Sequence, residues 1–493
     1  MTNSELVAIR ESHSWPRAIA LSVSISMCIA VDILQYSFPL SFLPRSLEDE
    51  GHSSRHIAAV IGGYYWSGFA GGVLITSYQI WRIIVRKASP LTLSQVKGQF
   101  FALIIGLLIG ALTLVKQASD DSYAVHMACR ITQGFLGAIL FFYSYLLSIE
   151  LFTGKQQIFA LTLNTISLNV AEVGGPLFGA TVFTVSGQSS SFYFLTAVSF
   201  FNQFVLLIAL YWLHTQSSIA GPSSSGLRSV DDENESLIFS EESEAEAIER
   251  VHGTHQSFAQ GFERFLDIIS NPHLWKSLAV IAPSALIKAE IENILPLFAD
   301  HSLGFDTMAI GLSFSSVAFA FVASSIGIGL AWDLLSQRSR DFIVASSLVF
   351  LSIFSTMILP ITRWTNDSFS FTAMLAVYGV FLGLTITPSS FLLGEFVDSL
   401  KDSQSKDVAN GLWNTIWELG GSLGFFVSGI PRSNDWRSEE MVISSSSITL
   451  VVAAVGFYFV TQTIRKDRNE DLVKLDVSSG WRPSNLSHEV VRL

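Results

Sequence analysis

The sequence predicts an all-α polytopic membrane protein, with twelve transmembrane helices arranged in two six-helix pseudo-symmetric halves. Of its 493 residues, 49% are apolar and only 14% charged. The mean hydropathy is +0.45, and a soluble chain of this length would carry more charge. Apolar runs of about 20 residues, long enough to cross a bilayer, recur twelve times along the chain. An unusual stretch also occurs twice, as Glu172-Val173-Gly174-Gly175-Pro176-Leu177 and as Glu418-Leu419-Gly420-Gly421-Ser422-Leu423. That echo, about half a chain apart, is the mark of two related halves in parallel orientation.

The elements follow in order. Residues 1–17 are polar and form an N-terminal tail. The apolar run behind them is too long for a signal-peptide core and is read as a retained first span. The N-terminal bundle, 18–213, holds spans near 18–40, 57–78, 98–115, 123–148, 158–184 and 191–213. Residues 214–272 are polar, beginning Gly221-Pro222-Ser223-Ser224-Ser225-Gly226 and continuing into Asp231 to Glu249, where nine acidic residues face no basic one. Such a composition cannot bury a core, so the segment reads as a disordered acidic linker. The C-terminal bundle, 273–464, holds spans near 274–298, 307–330, 341–361, 370–394, 407–430 and 441–463, and 465–493 is a second tail.

Basic residues set the expected orientation. Arg82, Arg86, Lys87, Lys97, Lys155, Arg338, Arg340, Lys401, Lys406, Arg465, Lys466 and Arg468 share one side with both termini and the linker. Both termini are therefore expected in the cytosol. Asn366-Asp367-Ser368 then lies on the far side as a glycan acceptor, and Glu233-Asn234-Glu235-Ser236-Leu237-Ile238 in the linker has the form of an acidic dileucine signal for a sorting adaptor. The net charge of −12 makes nucleic acid an unsuitable partner. Cys28 and Cys129 both fall in apolar segments and read as small buried hydrophobes. No Walker loop, zinc spacing or nucleophile elbow is visible, so neither an enzyme nor a cofactor is expected.

Twelve spans, a central linker and an internal repeat resemble the major facilitator superfamily over roughly 17–464. In the fifth span, Gly175-Pro176 and Gly179 match the end of that superfamily's antiporter motif, with Ala171 and Thr162 in place of two earlier glycines. Arg130-Ile131-Thr132-Gln133-Gly134 is similar to the Arg-x-x-Gln-Gly of proton-coupled members. The gate loop is half kept: Gly72-Val73-Leu74-Ile75-Thr76 lacks the aspartate that Gly329-Leu330-Ala331-Trp332-Asp333 retains. Within the superfamily the likeness is to vesicular amine transporters and their polyamine-transporting relatives. It rests on Asp32 through Pro39 to Pro44, on Glu292-Asn293-Ile294-Leu295-Pro296, and on Gly411-Leu412-Trp413-Asn414-Thr415-Ile416-Trp417. The aspartate that the monoamine branch places in its tenth span is replaced here by the acid-free Gly383 to Pro388.

The resemblance implies proton-coupled antiport of an organic cation, which needs a carboxylate able to hold either a proton or an ammonium. Asp32 and Glu292 are the candidates for that role. Glu172 and Glu418 lie near the middle of spans 5 and 11, beside Gly174, Gly175, Pro176, Gly179, Gly420, Gly421 and Gly424, which admit close helix approach. Arg130 is the expected partner of Glu172. Lys288 and Glu292 are four residues apart and would share a helix face. Tyr64, Tyr65, Trp413 and Trp417 could wall a cation.

The expected partners are thus the lipid bilayer, protons and a small organic cation, at an endomembrane such as a vesicle, vacuole or lysosome. A plasma-membrane metabolite or drug exporter of the same fold, or a non-transporting receptor-like member, is the alternative.

Overall fold

The structure, a computed structural model, describes residues 15–85, 93–152, 154–219, 260–365, 367–400, 403–429 and 456–457. The expected twelfth span apart from 456–457, the acidic stretch with Glu233 and Ile238, and Asn366 lie outside the described residues.

Every described element is helical. α1 is Trp15–Ser37, followed by a short 3-10 turn, Phe38–Ser41, and α2, Leu43–Asp49. α3 is Ser54–Val85, α4 Leu93–Ser119 and α5 Tyr123–Leu151. The helical stretch Gly154–Ile219 bends at Gly187, whose φ of 79° lies where a side chain would be strained, and this divides it into α6 (154–186) and α7 (188–219). After α8 (260–270) come α9 Pro272–Leu303, α10 Thr307–Ala331, α11 Gln337–Thr365, α12 Ser368–Ser399 and α13 Ser403–Ser428.

Local chemistry sets several of the boundaries. Asn271 caps α9 by accepting from the His273 amide at 2.9 Å, with Pro272 at the first helical position. Gly304 closes α9 in the left-handed conformation (φ 65°). Asp306 and Asp367 cap α10 and α12 in the same way as Asn271 caps α9.

The two halves repeat one packing scheme. In the first, α3 and α4 pack on α5, α1 packs on α5, and α1 packs on α6. In the second, α10 and α11 pack on α12, α9 packs on α12, and α9 packs on α13. The echoed glycines belong to the last of these pairs. Gly175 and Gly179 lie against Ser37 and Phe38, while Gly420 and Gly424 lie against Ala282, Ala285, Leu286 and Ala289 of α9. Each motif thus seats the fifth helix of its half on the first, with backbones close enough that only glycine fits.

The register differs between the halves. Gly175 and Gly179 do the packing in α6, but their counterparts in α13 lie one residue earlier. Gly421 instead meets Tyr65 across the interface, and Gly174 meets only Phe178 of its own helix.

The halves join along two seams. α3 meets α13 from Ala58, against Gly429 just past the end of α13, through Gly62 and Phe425, to Thr76, whose hydroxyl is 3.1 Å from that of Thr415. α6 meets α10 toward one end, where Gly311 packs on Pro176 and Ala180. That end is the far face, opposite the near face at which α1 begins. On the far face Arg45 and Glu48 of α2 pair with Asp300 (3.4 Å) and His301 (3.3 Å) of α9. These two contacts tie the halves together outside the apolar layer.

One expectation changes. Residues 260–270, inside the segment read as disordered linker, form α8, in which Gly261 lies on Ile83 and Ile84 and Ile268 is buried. The average composition of 214–272 is polar, but Gly261, Phe265 and Ile268 recur at helical spacing.

Replacing Gly424 by alanine puts a Cβ against the Leu286 carbonyl and Ala289, whereas the same change at Gly98 meets nothing within 4 Å. Thermal unfolding in detergent should show Gly424→Ala destabilised by about 1–3 kcal/mol and Gly98→Ala not destabilised.

Candidate cavity and coupling residues

Asp32 and Tyr36 lie one turn apart on α1 and so share a face. Asp32 is buried and accepts a 2.9 Å hydrogen bond from the Tyr64 hydroxyl of α3. Gly137 of α5 lies against both groups, so that even a methyl there would displace them. One turn on, the Tyr36 hydroxyl donates to Oε2 of Glu292 on α9, a bond that crosses between the halves.

Lys288 is the centre of the charge pattern. Its Nζ lies 2.5 Å from Oε1 of Glu172 on α6 and 2.7 Å from Oε1 of Glu292, one turn along its own helix. It also donates at 3.5 Å to the Tyr65 hydroxyl. The rings of Tyr36 and Trp417 each lie 5.7 Å from the ammonium, within cation–π range. Trp413 stacks on Trp417, with centroids 6.4 Å apart and planes at 8°. Of the four residues expected to wall a ligand cation, Tyr65 and Trp417 lie against Lys288, a cation of the protein itself, Trp413 stacks on Trp417, and Tyr64 serves Asp32.

Glu418 lies on the α3–α13 seam against Gly68, buried, and its Oε2 has no hydrogen-bond partner among the described residues. Asp32 and Lys288 are within electrostatic reach of it. Glu172 and Glu418 thus look alike in sequence and differ in surroundings. Glu172 meets an ammonium, whereas Glu418 meets a glycine.

Arg130 does not pair with Glu172. Its guanidinium donates to the Gln35 carbonyl at 2.6 Å and to Gln133 Oε1 at 3.3 Å, and Gln133 in turn donates to Gln117 and Thr113. Because α5 packs on α1, the arginine reaches the backbone one turn beyond Asp32, while Lys288 reaches Glu172 from the other half. Arg130 therefore secures α1 within its own half.

Between the halves lies a cavity that is partly open to solvent. Glu172, Lys288, Glu292, Ser37 and Tyr378 form its polar corner, and the remaining lining is apolar, including Pro176, Leu295, Phe314 and Phe321. Of the four expected carboxylates, Glu172 and Glu292 border the cavity, and Asp32 and Glu418 sit behind it with Tyr64. Tyr36 and Tyr378 were not anticipated. Tyr36 follows Asp32 by four residues and was legible as its neighbour, but nothing near Tyr378 in sequence marks it.

Two repeated helical bundles meet along two seams around a cavity with a charged corner, an architecture suited to a membrane transporter. The family model of the Major Facilitator Superfamily matches residues 20–425, and the chain belongs to that superfamily. Its fold is shared with a bacterial homologue of the human lysosomal transporter Spinster, solved inward-facing and unoccupied (TM-score 0.62, 12% identity, 96% of this chain and 100% of that one). It is shared as well with a D-xylose–proton symporter (TM-score 0.60, 12% identity, 90% of this chain and 98% of that one). No curated protein matches the chain in sequence.

The triad makes a testable stability pattern. Glu172→Gln or Glu292→Gln alone leaves Lys288 one carboxylate, while the double variant leaves a buried ammonium without any. Breaking a buried pair costs about 3–5 kcal/mol, so chemical unfolding should show the double variant destabilised well beyond the sum of the two single variants. Adding Lys288→Met to that double variant should restore most of the loss.

Proposed function

We propose that this protein is a proton-coupled antiporter that exchanges an organic cation for protons by alternating access. The observation that carries the reading is Glu418, a buried carboxyl whose Oε2 has no hydrogen-bond partner among the described residues, set on the seam between the halves and next to a cavity that offers two further carboxylates. A charged carboxylate without a partner in a dry contact is costly. The closed α3–α13 seam is therefore compatible with a protonated Glu418, and an opened, wetted seam with an ionised one. Movement of the halves and movement of a proton are linked at that residue. Asp32, stabilised by Tyr64, is the second proton site, and Glu172 and Glu292 receive the cargo's ammonium.

The bundles rock about the cavity. Arg45, Glu48, Asp300 and His301 hold the far face closed in the present state, and in this mechanism the cavity exchanges with the near face when the α3–α13 seam opens. We assign the near face to the cytosol, from the basic residues that flank it, and the far face to the lumen of an acidic vesicle, vacuole or lysosome-like compartment. Glu233 to Ile238 would direct the chain there through a sorting adaptor. The likeness to vesicular amine transporters supports the choice of cargo, with Glu292 at the cavity and Asp32 one layer behind it.

The test is uptake of radiolabelled serotonin, spermidine and a lipophilic drug cation into proteoliposomes with an acidic lumen, with and without collapse of the pH gradient. At least one cation should accumulate in a gradient-dependent way. In Glu418→Gln that accumulation should fall at least tenfold, while exchange of labelled for unlabelled cation, which moves no net proton, continues. Uptake indifferent to the gradient would sink the antiport mechanism.

A further inference from the structure

We infer that Lys288 is a tethered ammonium that fixes the valence of the cargo, so that the cavity takes a singly charged amine with an apolar body and rejects polyamines. The inference rests on the cation reading above and adds to it the class of cation.

The argument begins with what already fills the site. An incoming ammonium would seek carboxylate oxygens at hydrogen-bond distance and the faces of aromatic rings. Lys288 Nζ has both, with Glu172 at 2.5 Å, Glu292 at 2.7 Å, and Tyr36 and Trp417 each at 5.7 Å. Two carboxylates shared by one ammonium leave a single negative charge in excess. No other lining residue is charged, and nine of the fourteen are apolar. Asp32 and Glu418 do not border the cavity.

A monoamine can therefore take one carboxylate from Lys288 and leave it the other. The second ammonium of a diamine would lie against Leu40, Ile291, Phe314 or Leu382 with no counter-charge, and an unpaired ammonium in such surroundings is strongly disfavoured.

A second observation points the same way. The Tyr378 hydroxyl borders this corner, is 1% exposed as a residue, and has no hydrogen-bond partner among the described residues. A buried hydroxyl left without a partner is unusual. It can supply a further hydrogen bond to a head group held beside Glu172 and Glu292.

The roles of the two carboxylates also differ. Glu292 is on the helix of Lys288, whereas Glu172 is on α6 of the other half. Cargo that engages Glu172 thus replaces the Lys288–Glu172 bond, one of the ties between the halves.

The experiment compares octylamine with 1,8-diaminooctane, which share a chain length and differ by one charge. Binding to the full-length protein in nanodiscs is read by calorimetry and by tryptophan fluorescence. Wild type should bind octylamine at least tenfold more tightly than the diamine. Lys288→Met, which raises the excess to two negative charges, should narrow or reverse that ratio by tenfold or more, and Lys288→Arg should retain the wild-type order. Glu172→Gln, which keeps a partner for Lys288, should lose octylamine binding at least tenfold.

Equal or tighter binding of the diamine by wild type would overturn the inference whether or not Lys288→Met folds, as would an unchanged ratio in a folded Lys288→Met. Binding of octanoate but neither amine, lost in Lys288→Met, would overturn the cation reading itself and make Lys288 an anion anchor. Binding of none of the three by folded protein would overturn both readings.

Discussion

Burying an ammonium between two helical bundles is tolerable only if counter-charges reach it from both sides, and the meeting of Lys288 with Glu172 and Glu292 satisfies that condition. Most of the central geometry depends on it. Glu172 must come from α6 and Glu292 from α9, so the triad draws together the fifth helix of one half and the first helix of the other. Tyr36 adds a hydrogen bond from α1 to the far oxygen of Glu292, and Tyr65 and Trp417 bring α3 and α13 against the same ammonium. Five helices thus converge on one nitrogen. Undoing that convergence would leave a buried ammonium without its counter-charges, which is costly.

Glycines make the convergence sterically possible. Gly175 and Gly179 let α6 close on α1, and Gly420 and Gly424 let α13 close on α9. Because the packing glycines sit one residue apart in register, the neighbouring carboxylates are turned differently in the two halves. Glu172 is directed at the cavity, and Glu418 at Gly68 on the seam. A repeated motif thereby provides two acids in different surroundings, one paired with Lys288 and one whose Oε2 has no hydrogen-bond partner among the described residues. The proposed division of labour between a cargo site and a proton site would follow from that one-residue offset, with no change in the residue type.

The charged cavity corner and the seam behave as separate layers. In the first layer, Glu172, Lys288, Glu292 and Tyr378 face open space. In the second, Asp32, Tyr64 and Glu418 are enclosed by Gly137 and Gly68. Tyr36 joins them, being one turn from Asp32 and bonded to Glu292. Arg130 stands outside both layers, tying α5 to the backbone of α1 through Gln35.

Much of this was legible in the chain. Composition and the recurrence of apolar runs determine an all-helical membrane protein, because only long apolar helices satisfy their backbones in lipid. The duplicated Glu-x-Gly-Gly stretch determines a two-fold repeat, and the i,i+4 spacing of Lys288 and Glu292 determines that they meet. What the chain left open was rotation and distance. Glu172 and Arg130 are on adjacent spans and seemed natural partners, yet the ion pair forms between Glu172 and a lysine 116 residues away. Helix α8 was hidden by the polar average of the segment around it. Tyr378 became part of the cavity through the packing of α12 on α9 and α10. Periodicity states which residues share a face, but it cannot state which face turns toward which helix. That is decided by the packing of the two halves, whose close approach selects among the carboxylates the two that hold Lys288 and the one that lies against Gly68.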